Sequence, residues 1–345
     1  MARSGGTPPA HEGGTDDLPA RPEDGDPALE EGRSRPVARR SGAGGPGSTG
    51  HGSASREPRT APLPRPVGYG SRLVRRVGGA LVSVGLVVWL SWWTVFTVVG
   101  QALDSVLMEA VTSWSTVVAP VEPVVTGLVS VPAMVLVALV VAGVAALRRR
   151  VTLAGRAVGV VVGANLTTQL VKSVLDRPDL GVTFPLTNSL PSGHTTFAAS
   201  VALALVIVAP AWFRSPAAWL GWVWTSLMGV VVMVSAWHRP ADVLTAVLVS
   251  GAWALALAPV EHRVRHGARV QRVMAVAALV LLGLGVLGCA IGVIGVDLAG
   301  AGASGHAITL GGTPWRERLL SASAVCVVSG VIGLVMHEVD RLSWG

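Results

Sequence analysis

The chain has 345 residues, 51% of them hydrophobic and only 14% charged, with a formal net charge of +7 and a mean hydropathy of +0.57. That is too apolar for a soluble fold, which must cover itself in polar groups, so residence in a membrane is the first conclusion. The two cysteines, Cys289 and Cys326, both lie inside apolar runs and read as small hydrophobes, so no disulfide framework is implied.

Residues 1–70 differ from the rest. Gly, Pro, Ser and mixed charges dominate, as in "RSGAGGPGSTGHGSAS", without apolar periodicity. This composition predicts a disordered tail. Its nine arginines are mixed with nine acidic residues, which favours a solvated tail over one held on anionic lipid. No secretory cleavage pattern precedes the first apolar run near Val77, so the tail is expected to be retained.

Apolar runs of spanning length follow near 77–100, 123–147, 157–175, 194–212, 217–237, 241–260, 273–296 and 319–336, predicting eight transmembrane helices. With the N-terminus inside, thirteen arginines flank the inner ends, among them Arg75, Arg76, Arg156 and Arg214, and five basic residues lie outside: Lys172, Arg177, Arg239, Arg316 and Arg318. Asp104, Glu109 and Glu122 fall in the first outer loop. The bias places the N-terminus in the cytoplasm of a multi-pass cell-membrane protein. Trp92, Trp93, Trp212, Trp219 and Trp237 near helix ends read as interfacial anchors.

Of the twenty-seven basic side chains, Lys172 alone is a lysine. It opens "KSVLDRP" at the end of the third span. "PSGH", Pro191 to His194, starts the fourth, and "WHRPAD", Trp237 to Asp242, joins the fifth to the sixth. The reading above puts all three on the outer side.

Lys172 and Arg177 supply two cations, while the Ser192 hydroxyl and the Gly193 N–H at a helix N-terminus supply donors, together an anion pocket. The missing side chain at Gly193 lets backbone approach the anion. His238 and Asp242, spaced i, i+4, share a helix face, and Pro240 between them suits a first helical turn. The carboxylate can hold one ring nitrogen protonated and leave the other as a nucleophile. His194 supplies a second imidazole as general acid. Each motif alone also reads as a turn, a capped helix start or a snorkelling helix end. Their co-occurrence on one side is what points to a site. Asn165, Thr168 and Lys172 form a polar stripe on the third span, facing a cavity or a neighbouring helix.

These motifs resemble those of the type 2 phosphatidic acid phosphatase (PAP2) superfamily, membrane lipid phosphatases related to vanadium haloperoxidases. The resemblance covers roughly residues 77–260. It implies a six-helix catalytic core (71–260); with the composition and hydropathy above, the expectation is an all-α polytopic bundle with a disordered tail (1–70) before that core and a cytoplasmic loop with two additional helices (261–345) after it. It also implies a metal-independent phosphatase without a cofactor, hydrolysing a lipid phosphate monoester or pyrophosphate in the bilayer. His238 would be the nucleophile forming a phosphohistidine, Asp242 its partner and His194 the acid. Lys172, Arg177, Ser192 and Gly193 would bind the phosphoryl oxygens.

The chain departs from the family pattern twice. Four residues rather than six separate Lys172 from Arg177, with Asp179 two positions on, and Val232 stands where the third motif's arginine is expected. Arg239, as the neighbour of His238, is expected to point elsewhere on a helix. The missing arginine motivates an alternative, a non-catalytic lipid-phosphate binder or transporter. A phosphotransferase using an acceptor other than water is a third reading.

Glu261, His262 and His266 have metal-like spacing but read as a solvated basic flank, and His306 reads as an incidental loop residue. No repeat, nucleotide-binding glycine motif or nucleic-acid site is expected, and the sequence leaves the oligomeric state open.

Overall fold

In the computed structural model the apolar runs become helices whose ends are set by local signals. The structure describes residues 69–127, 139–140, 143, 151–182, 188–259, 268–300 and 313–342. Among these residues the regular elements are helices, with no strand: α1 (Tyr69–Phe96), α2 (Val98–Thr112), α3 (Ser115–Val118), α4 (Glu122–Gly127), α5 (Val151–Val174), α6 (Gly193–Val208), α7 (Ala211–Val234), α8 (Pro240–Leu257), α9 (Ala268–Gly292) and α10 (Pro314–Leu342). The chain is an all-α membrane bundle.

Among the described residues six helices, α1, α5, α7, α8, α9 and α10, are long and apolar enough to cross a membrane. The predicted fourth span is α6, with 16 residues, about 24 Å at 1.5 Å per residue. Most of the predicted second span, 123–147, lies outside the described residues, as do residues 1–68, Glu261, His262, His266 and His306. Leu81 and Val88 on α1, Leu166 and Leu170 on α5, and Leu279 and Leu284 on α9 are exposed, an apolar coat of the kind lipid tails accept.

Helix α8 is largely buried and packs against α1, α5, α6 and α10. Buried Leu320, Ala324, Val328, Ile332 and Met336 place α10 in the same core, while α9 packs chiefly along α10. Small hydroxyls join the helices around α6. The Thr168 and Thr196 hydroxyls are 2.9 Å apart, and the Ser250 hydroxyl donates to the Thr196 carbonyl at 3.3 Å. Such bonds hold helices together where lipid gives no hydrophobic drive for association. Gly163 lets α5 close on α8, because a Cβ there would sit 2.6 Å from the Trp253 ring.

The first outer loop of the sequence reading contains helix α2. Thr97 caps it, its hydroxyl accepting the Gly100 N–H at 3.0 Å. Its buried side chains include Gln101, Asp104, Val106 and Leu107, and the helix packs on α10, α1, α7 and α8. Asp104 is therefore a buried group rather than a loop charge.

At the other end of α8 the arginines have a structural task. Arg76 donates to the carbonyls of Ala256 and Ala258, and Arg156 donates to that of Leu257. Helix C-termini leave carbonyls unbonded, and cations there complement the helix dipole.

Candidate active site

The α7–α8 connection carries His238, and its geometry follows from how α7 stops. The Trp237 N–H returns to the Val232 carbonyl and the Ala236 N–H to the Met233 carbonyl, both at 3.1 Å, the two bonds of a Schellman motif. Ala236 itself has φ +57°, a left-handed conformation that glycine would adopt without strain. The His238 N–H also bonds the Val232 carbonyl at 3.1 Å. Val232, buried in α7, thus sets the loop through its backbone. Ala236→Gly is expected to raise stability by about 0.5–1 kcal/mol, the relief of left-handed strain less the entropy glycine adds to the unfolded chain. Thermal melting in detergent checks this, and a lowered melting temperature would refute it.

His238 Nδ1 lies 3.2 Å from Asp242 Oδ2. The same oxygen accepts the Ser189 hydroxyl at 2.6 Å and the Arg239 N–H at 2.9 Å. Because a carboxylate oxygen holding three donors acts as an acceptor, Nδ1 carries the proton, and Nε2 is left with its lone pair. Asp242 is fully buried. Its carbonyl accepts the Ser192 N–H at 3.0 Å, tying the start of α6 to α8.

A cavity of about 350 Å³ is lined by Asn165, Gln169, Lys172, Gly193, His194, Phe197 and His238. Lys172 to Asn165 is seven residues of α5, about 10 Å of helix, so the cavity follows α5 inward for two turns. A Cβ built on Gly193 meets nothing within 4 Å, so the peptide faces open space. The His194 ring stands 5.6 Å from that of Trp237. Lys172, Gly193, His194 and His238 therefore meet in one wall.

Two expected phosphate ligands are not in that wall. The Ser192 hydroxyl is fully buried and caps α6 by accepting the Thr195 N–H at 3.3 Å. Arg177 is buried, with Asp104, Asp242 and Arg239 close enough to act on its charge. Burial and Arg239 lower its pKa, and the two carboxylates oppose that shift. The polar stripe of α5 divides: Asn165 and Lys172 line the cavity, while Thr168 is spent on Thr196.

Arg239 does not line the cavity, for a reason other than helical spacing. It precedes α8 with φ −80° and ψ 160°, so helical spacing does not apply to it. Its side chain is buried and donates to the Ser189 hydroxyl at 3.3 Å. Ser189 and Asp104 are the residues that sequence reasoning missed. Asp104 Oδ1 accepts the Ala241 N–H at 3.0 Å, and burial with the nearby Asp242 charge raises its pKa to about 7, against the opposing pull of that N–H, Arg239 and Arg177. Ser189 stood inside the "NSLPSGH" stretch, but its pairing with Asp242 spans 53 positions.

Residues 128–266 match the family model of the PAP2 superfamily. This stretch is a PAP2 superfamily segment. It contains Lys172, Arg177, the Ser192–His194 turn, His238 and Asp242, and so covers the cavity and the pair behind it. No curated protein and no solved structure matches the chain. The PAP2 match over this stretch, together with the six apolar helices among the described residues, supports a membrane phosphatase in general terms.

Proposed function

We propose that the protein hydrolyses a lipid phosphate monoester or pyrophosphate at the outer membrane face, without a metal, through a phosphohistidine on His238. The observation that carries this is the pairing of His238 Nδ1 with buried Asp242 while His238 itself borders the cavity shared by Lys172, Gly193 and His194.

In the first step His238 Nε2 attacks phosphorus, the bond to the leaving oxygen breaks, and His194 gives that oxygen its proton. In the second, water attacks the phosphohistidine, His194 takes the water's proton, and inorganic phosphate leaves with His238 restored. Lys172 and the open Gly193 peptide hold the phosphoryl oxygens as charge moves onto them. Asp242 keeps the ring oriented and stabilises the positive charge it acquires. The arginine excess at the opposite end of the bundle supports the outward reading of the site, and a cavity beside apolar α5 suits a headgroup whose chains remain in the bilayer.

The test is phosphate release by the full chain in detergent from phosphatidic acid and a polyprenyl diphosphate, with chelator present. Release of inorganic phosphate with an acid-labile, alkali-stable phosphoenzyme is the expected result. Loss of activity in chelator overturns the metal-free step. Binding of both lipids with no release favours the non-catalytic reading, which draws on Lys172 being the cation that lines the described cavity. Transfer of phosphate to an added alcohol favours the phosphotransferase.

A further inference from the structure

Behind His238, away from the cavity, lies a buried group of charges that neither the three motifs nor the proposed steps use in full. Asp242 and Asp104 approach the N-terminus of α8 from two elements; Arg177 acts on both through space, and Arg239 acts on Asp104. Helix α8 starts with Pro240, which has no N–H, so the Ala241 N–H is the first backbone donor that needs a partner. Asp104 provides that partner from α2, 137 residues away in sequence. Ala241 is itself 3% exposed and Asp104 4%, so water does not readily replace this bond. The second oxygen of Asp104 has no hydrogen-bond partner among the described residues. A carboxyl group buried with one oxygen unbonded is costly to keep. Its attachment to the turn that carries the catalytic pair gives that cost a purpose.

We propose that Asp104 is a positioning residue. By holding the Ala241 N–H it fixes the first turn of α8, and so fixes Asp242 and the His238 ring for attack on a phosphoryl group. The path is short: Ala241 is bonded covalently to Asp242, whose Oδ2 holds both His238 Nδ1 and the Arg239 N–H. Val95 of α1 and Leu190 pack on Ala241 from the apolar side, leaving Asp104 as the polar anchor of that peptide. Around Asp104 the facing charged groups are Asp242 and Arg239 from the α8 turn and Arg177 from the segment after α5. The role rests on the phosphatase reading above, but its test does not need turnover.

Vanadate can adopt the five-coordinate geometry of a phosphoryl group under attack, whereas inorganic phosphate resembles bound product. A group that positions the nucleophile acts on the first and little on the second. The experiment measures binding of vanadate and of inorganic phosphate to the detergent-purified full chain, wild type and Asp104→Ala, with Asp104→Asn as the variant that keeps an acceptor for the Ala241 N–H. Removing a negative charge near an anion site tightens both anions if electrostatics alone acts. Positioning predicts the reverse for one of them: vanadate binds Asp104→Ala at least tenfold more weakly, phosphate stays within threefold, and Asp104→Asn recovers most of the vanadate affinity. Equal or tighter vanadate binding by Asp104→Ala overturns the proposal. If Asp104→Ala fails to fold, Asp104→Asn decides, because wild-type vanadate affinity with its charge removed supports an acceptor role, and loss of both anions together overturns it. Wild-type protein that binds vanadate without hydrolysing any lipid removes the phosphatase reading, while the variant comparison still decides whether Asp104 holds the His238 turn for an anion.

Discussion

His238→Ala is expected to lower kcat by about 10⁴-fold or more on every phosphate substrate, roughly 5 kcal/mol of barrier at 1.36 kcal/mol per factor of ten. It should also abolish phosphoenzyme labelling. The size follows from removing the atom that forms the covalent bond, for which no neighbour substitutes. His194→Ala is expected to behave differently. An acid matters in proportion to how badly the leaving oxygen needs a proton, so its loss should cost about 10²–10⁴ on an alkyl phosphate. On an aryl phosphate such as p-nitrophenyl phosphate, whose oxygen leaves without a proton, the first step should be far less affected. Burst kinetics on both substrates separate the roles. A His238→Ala protein with wild-type turnover, or a His194→Ala loss equal on both leaving groups, would sink the assignment.

The spanning helices were legible because hydropathy depends on composition over twenty residues, and the three motifs were legible because each is contiguous. Their convergence is a property of alternating helices, and a count of spans places them on one side before any coordinate is known. What stayed hidden depends on three-dimensional packing. Helix α2 has 15 residues with Gln101, Asp104, Ser105 and Glu109 among them, too short and polar to register as a span. Its Thr97 cap was the available signal, but it falls inside the apolar run read as the first span, 77–100. Asp104 then looked like one more outer-loop acid, and nothing near it in sequence names Ala241 as its partner.

The two arginines lie where sequence spacing did not show them. Arg177 was read as a phosphate cation beside Lys172; the chain leaves α5 after Val174, and Asp104 and Asp242 act on the Arg177 charge. Arg239 was expected to point elsewhere by helical spacing; it stands one residue before the helix with extended backbone and does not line the cavity. Arg177 acts on both carboxylates and Arg239 on Asp104. The arginine expected at Val232 has no counterpart in the described cavity wall, where Lys172 is the cation. Charge around the site is thus divided, with Lys172 lining the cavity and Arg177 and Arg239 among the buried carboxylates.

That division sets the consequence of Asp242→Asn, the second large effect. The asparagine amide has one acceptor oxygen. If this oxygen occupies the place of Oδ2, it keeps the three donors from His238, Ser189 and Arg239, but it no longer carries the charge that stabilises the ring as it becomes positive. If the NH₂ takes that place, it faces three donors, and His238 must turn its lone pair toward the amide and present Nε2–H to the substrate, which cannot attack. Either arrangement predicts a fall in kcat of about 10³–10⁴ with little change in KM, the scale seen when a triad aspartate loses its charge. The same substitution leaves Arg177 and Arg239 buried with one counter-charge fewer, and breaking a buried charge pair costs about 3–5 kcal/mol. Asp242→Asn should therefore lower the melting temperature in detergent, whereas His238→Ala, which removes no member of that charge cluster, should keep most of its stability at comparable inactivity. Measuring kcat, KM and melting temperature on the two variants together tests this coupling. An Asp242→Asn protein that melts like wild type would show that Asp242 does not hold the arginines, and one that turns over like wild type would show that it does not hold the histidine.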